Sequence, residues 1–147
     1  FEAAVTVNPN LAHAHLGHGT ALCLSGQWER AIESLDRALR LSPHDPVIWV
    51  FSTARAMTLL VSGRIEDAAE SAAHATRQPT AEVTAHIILA AAFAHLDREE
   101  EGRRAFADAL SLKPDIDAAY VGQIFPFEEP ANLEFILAGL RRAGLTD

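Results

Sequence analysis

The chain has 147 residues, a net charge of −8 and a hydrophobic fraction of 49%, which suits one domain or one stretch of a repeat array, and a body of this size buries about two-thirds of its unfolded surface. Ala and Leu dominate the apolar residues, with seven Phe, two Trp and one Tyr beside them, a mixture that fits closely packed helices. The acidic balance repels phosphate and no Lys/Arg stripe offsets it, which excludes nucleic acid as a direct partner, and no apolar run reaches the ~18 residues of a membrane span.

Taken in chain order, the sequence is punctuated at regular intervals. Prolines stand at Pro9, Pro43, Pro79 and Pro114, separated by 34, 36 and 35 residues. Proline lacks the amide proton and restricts the residue before it, so each one ends a helix. Midway between them lie Gly26, Gly63 and Asp97, each followed five residues later by a small residue, Ala31, Ala68 and Gly102. A turn residue and then a small residue where two helices cross closely is the pattern of a helical hairpin.

Residues 1–9 read as the last turns of an earlier helix, so the chain is expected to be a piece of something longer. Helices are predicted at 11–24, 28–41, 46–61, 65–77, 81–96 and 99–112. In the second, Ala31, Leu35, Ala38, Leu39 and Leu41 recur at helical spacing, while Glu29, Arg30, Glu33, Asp36, Arg37 and Arg40 take the other face. Pro43 to Gly63 is three residues longer than Pro9 to Gly26; the third helix is therefore expected to gain nearly one turn at about 3.6 residues per turn. The acids Glu99, Glu100 and Glu101 suit the positive end of a helix dipole and need no metal. Residues 115–122 continue into a short seventh helix, and Phe125-Pro126-Phe127 breaks it. Pro130 to Ala143 reads as a last helix, with Gly144 past its end and a stripe of Leu133, Ile136, Leu137 and Leu140. That stripe is expected to cover the open last hairpin, as solenoid ends require.

A helix–turn–helix of this period resembles the tetratricopeptide-repeat (TPR) family. Gly19, Leu22, Gly26, Ala31, Leu35, Ala38, Leu39, Leu41 and Pro43 stand at its consensus positions in residues 12–45, with His15 and His18 in place of the usual Trp and Leu. Leu89, Ala90, Phe93, Phe106, Ala109, Leu110, Leu112 and Pro114 match in residues 80–114, with Gly102 for Ala. In residues 46–79, Trp49 matches counted forward from Pro43, but Ala56 and Leu59 match only counted backward from Gly63, so the register of that helix stays open. The resemblance implies an all-α TPR helical-hairpin superhelix, an alpha-alpha solenoid with a C-terminal capping helix. Residues 1–10 would end a preceding repeat, 11–114 would hold three repeats, and 115–147 would form the capping segment.

It also implies a concave groove lined by the first helix of each repeat. The matching positions are His13, Leu16, Thr20 and Cys23, then Val50, Thr53, Met57 and Leu60, then Thr84, Ile87, Ala91 and Ala94. Chaperone-binding members carry Lys, Arg and Asn there to clamp a carboxylate; these residues are apolar with hydroxyls instead. They suit an amphipathic helix from a protein partner, from a second copy or from the chain's own tail, or else merely pack neighbouring repeats together. The string PFEEPANLEFILAGLRRAGL, residues 126–145, resembles the C-termini of bacterial proteins that join a class III adenylate/guanylate cyclase or winged-helix domain to a TPR array. None of the cyclase's aspartates can be assigned to this sequence.

Other chemistry is sparse. His13, His15 and His18 form a metal-like string, but the resemblance puts His15 and His18 where helix packs on helix, and no Cys or carboxylate adjoins them in sequence. Cys23 forms no internal bridge and has no catalytic motif around it, so a buried thiol in a reducing cytoplasm is expected. Gly17-His18-Gly19 lies inside a helix and follows no strand, so it makes no phosphate loop. No catalytic residue, metal site or cofactor is expected. The reading is a non-catalytic protein-interaction scaffold in a larger bacterial signalling protein of adenylate cyclase type, or alternatively a homodimerisation module for an upstream cyclase or DNA-binding domain.

Overall fold

A computed structural model describes residues 9–146; the expected remnant of an earlier repeat at 1–8 lies outside the described residues. All regular structure there is helical: α1 Pro9–Leu24, α2 Trp28–Leu41, α3 Ile48–Val61, α4 Ile65–Thr76, α5 Val83–His95, α6 Glu99–Leu112, α7 Ala118–Ile124 and α8 Pro130–Ala143. Helices α1 and α2, α3 and α4, and α5 and α6 form three antiparallel hairpins stacked in order.

The three hairpin turns share one backbone device. Gly26, Gly63 and Asp97 hold φ of +86°, +92° and +60°, the left-handed conformation that reverses a helix at its C-terminus. The next amide then reaches back to a carbonyl in the last turn: Gln27 to Leu22 at 2.8 Å, Arg64 to Leu59 at 2.9 Å and Arg98 to Phe93 at 2.9 Å. Asp97 replaces glycine because aspartate tolerates this region better than most residues. The small residues that follow are enclosed as the spacing predicts. Ala31 and Ala68 have no exposed surface, and a Cβ added to Gly102 would stand 3.3 Å from the Ala90 carbonyl oxygen.

The third helix is not lengthened. It has 14 residues and begins at Ile48, so the extra residues lie in the connection 42–47. The reason is polar: the Asp45 carboxylate accepts from the Val47 amide at 2.9 Å and from Ser42 Oγ at 3.2 Å, and Pro46 has no amide to give. These bonds fix a turn that competes with helix. Ala56 and Leu59 are fully buried, as the register counted back from Gly63 requires.

Burial separates the two helices of the second and third hairpins. In α3 and α5 most side chains are buried on every side, whereas α2, α4 and α6 bury one stripe and turn their charges outward. A helix apolar all round belongs inside. Its polar residues are satisfied locally: Thr53 Oγ1 donates to the Trp49 carbonyl at 2.6 Å and Thr58 Oγ1 to that of Ala54 at 2.9 Å. Arg55 of α3 reaches Asp36 of α2 at 2.6 Å. No helix of the described residues is long and apolar enough to cross a membrane.

Candidate functional site

The twelve expected groove residues fall into two environments. On α1, His13 is exposed, Leu16 and Thr20 are half-buried and Cys23 is fully buried; on α3, Val50 is half-buried and Thr53, Met57 and Leu60 are buried; on α5, Thr84 is half-buried and Ile87, Ala91 and Ala94 are buried. Accessibility thus runs as far as Thr20 on α1 but is confined to the first turn of α3 and α5. The hydroxyls of Thr20 and Thr53 are turned back onto the carbonyls of Leu16 and Trp49, so they are occupied within their own helices.

The C-terminal tail lies against α5 from this side. Successive hairpins stack with the incoming first helix chiefly on the preceding second helix, α3 on α2 and α5 on α4. By contrast, α8 packs chiefly on α5, less on α6, and extends to α3. It is therefore no fourth-repeat first helix. Before it, the Glu128 amide donates to the Leu24 carbonyl at the end of α1, at 3.0 Å. The tail consequently meets the first helix of all three hairpins.

Its seat is closely shaped. A Cβ at Gly139 would lie 2.9 Å from both the Ala91 carbonyl oxygen and the His95 ring, so only glycine lets the two helices approach this far. The His95 ring stacks on Phe135 with centroids 3.9 Å apart, and its Nε2 is 2.7 Å from the Phe135 carbonyl oxygen. Ile136 and Leu140 have no exposed surface and Leu137 has 4%, while Leu133 is half-buried. At the far end Arg142 reaches Asp97 at 2.6 Å and Glu99 at 3.2 Å. Gly144, with φ of +121°, ends the helix over Phe106.

The polar candidates separate. His13 Nε2 is 3.0 Å from Asp45 Oδ2 and its ring meets Phe51 edge-on at 5.1 Å. Burial opposes ionisation of Asp45, but the Val47 amide, His13 and Ser42 outweigh it and hold the carboxyl below its ordinary value. His15 is half-buried and His18 exposed, so His18 does not pack against a neighbouring helix as its repeat position implied. Desolvation, then the nearby Arg37 and His18 charges, lower the His15 pKa. Burial raises that of the Cys23 thiol, against a weaker hydrogen bond from Thr58, which makes the thiol a poor nucleophile. Among the described residues no three His, Cys, Asp or Glu side chains converge as a metal site would need.

Several important contacts were not legible in the sequence. Asp45 lies 32 residues from His13, and Asp97 lies 45 from Arg142. No local pattern joins them. Gly139 sits on the α8 face beside Ile136 and Leu140, and a glycine within an otherwise apolar stripe was the one available signal of close approach.

Stacked antiparallel hairpins with an inward-turned closing helix define a helical-repeat solenoid. The tetratricopeptide-repeat family model matches residues 1–46 and 53–119, more than half of the chain, and this protein belongs to that family. The break between the two matches, at 47–52, covers the end of the connection and the start of α3. The TPR repeat-containing thioredoxin TTL4 of Arabidopsis thaliana is 33% identical over 86 residues, 58% of this chain and 12% of that protein. The chain thus spans a small part of the length of the curated relative it matches.

Proposed function

We propose that this chain is a non-catalytic scaffold whose inner face, formed by the twelve positions from His13 to Ala94, receives an amphipathic helix. Membership of a repeat family that binds proteins and peptides supports the general role. The observation that carries the particular one is α8: an amphipathic helix of the chain's own rests on α5, next to Ala91. Binding of this kind takes its energy from apolar side chains at helical spacing, and Leu16, Val50 and Thr84 leave partly open surface for it.

The likeness of residues 126–145 to the ends of bacterial cyclase-linked and winged-helix-linked arrays supports a regulatory place in a larger cytoplasmic signalling protein of adenylate cyclase type. The second reading, a homodimerisation module, draws on the same helix, because α8 of one copy has the chemistry to seat on α5 of another. A photo-crosslinking residue at Leu16 or Val50 of the full-length protein is the test. Crosslinks to a helical segment are expected from these positions and not from Glu33 on the exposed side of α2. Equal crosslinking from Glu33 overturns the scaffold reading, and light scattering at twice the chain mass selects the dimer.

A further inference from the structure

We infer that α8 is a replaceable occupant of the inner face, so that a partner helix gains the site by displacing the tail, and must bring a small residue where α8 has Gly139 and a cation where it has Arg142. This rests on the scaffold reading above and adds its regulation and the chemistry of its ligand.

Three observations carry it. First, the contact order of α8 departs from the stacking rule of the hairpins: it lies on a first helix rather than completing a new repeat. The hairpins close on each other without it, through α2 on α3 and α4 on α5. Second, the fit is that of a ligand with a defined register. Gly139 allows approach to the Ala91 carbonyl, and His95 meets both the ring and the carbonyl of Phe135. A helix rotated by one residue would place a side chain against the Ala91 backbone, so the register is selective rather than merely apolar. Third, the far end adds a surface ion pair to the buried Ala143 and Leu145. The Arg142 side chain is 38% exposed and its partners Asp97 and Glu99 are 85% and 47% exposed. Exposed pairs are weak and screened by salt, so this pair does little to lock the helix in place. The connection 125–129 ties α8 to the array through the buried Phe125 and the Glu128 amide, which bonds the Leu24 carbonyl.

A tether makes the tail a strong competitor, because an attached ligand acts at an effective concentration near millimolar. An outside helix therefore binds well only when the tail is loosened. Native-state hydrogen exchange on the intact chain tests the first half of this. The α8 amides from Leu140 to Ala143 are expected to exchange at least roughly tenfold faster than those of α3, as a unit that opens alone. Equal protection of α8 and α3 overturns the proposal.

The second half uses a fluorescein-labelled peptide of residues 128–146. It is expected to bind the Gly139→Leu chain at least about tenfold more tightly than the parent, whose own tail competes. A peptide with Leu at the Gly139 position should lose that binding. Arg142→Glu serves where circular dichroism shows that Gly139→Leu has lost its helices, and adding Glu99→Arg to it should restore the parent's weak peptide binding. Equal binding to parent and variant overturns the occupancy alone. Binding to neither overturns the inner-face reading together with it.

Discussion

Asp45 is enclosed by donors that all favour its charge, the Val47 amide, Ser42 and His13. Its pKa is depressed in the fold, so its stabilisation is complete above the ordinary value of 3.8 and disappears as pH falls through the lower folded value. Asp45→Ala is expected to cost roughly 1–3 kcal/mol at pH 7, the range for a hydrogen-bonded charged group. The difference from the parent in urea midpoint should shrink below pH 3.8, and a constant difference would refute the assignment. His86 works in a higher window. Desolvation lowers its pKa despite the opposing Asp108 charge, and its Nδ1 is buried without a partner. The fold thus favours neutral imidazole, and stability falls as pH drops through and below 6.5. The fall in melting temperature between about pH 7.5 and 5.5 should be smaller in His86→Leu than in the parent.

The hairpin turns and crossings set the next scale, because each helix pair depends on one reversed residue and one close contact. A Cβ at Gly63 would meet nothing within 4 Å, yet φ is +92°, so Gly63→Ala isolates the backbone cost. About 1–2 kcal/mol of destabilisation is expected, and Gly63→Asn should lose less. At the crossing, Ala31 and Ala68 are completely enclosed, and a Cβ on Gly19 would lie 3.2 Å from the Ala31 carbonyl oxygen. Ala31→Leu or Ala68→Leu should cost about 1–3 kcal/mol through displaced backbone. An unchanged urea midpoint in either would show that the helices do not cross there. These elements were legible in sequence because their causes are local: Gly26 and Gly63 need no neighbour to permit a positive φ, and Pro43 and Pro79 end helices unaided. The length of α3 was not legible. Counting residues between Pro43 and Gly63 could not reveal that Asp45 would gather three donors and hold the extra residues in a turn.

For the molecule as a whole, the tail determines how much apolar surface meets water. Removing residues 130–147 strips Ile136, Leu137 and Leu140 from the core, and each large apolar side chain withdrawn forfeits about 1.5–3 kcal/mol. A cap on the last hairpin would cover α6 around Phe106 and Leu110; the structure places α8 chiefly on α5, so truncation uncovers Ala91 and its neighbours as well as Phe106. The truncated chain should melt earlier and scatter more light on warming. An unchanged melting temperature with unchanged mass would show that the tail contributes nothing to the array.

By itself the sequence determined the helices, their pairing and the outward face of α2, since proline spacing, turn glycines and apolar periodicity each act within a few residues of their cause. Tertiary structure alone decided where α8 lies. Its stripe of Ile136, Leu137 and Leu140 would satisfy burial equally on α6 or on α5, because the hydrophobic effect has no direction. The choice came from contacts across 40 or more residues, His95 with Phe135 and Asp97 with Arg142, and from the missing Cβ of Gly139, whose importance appears only once the Ala91 backbone stands opposite it.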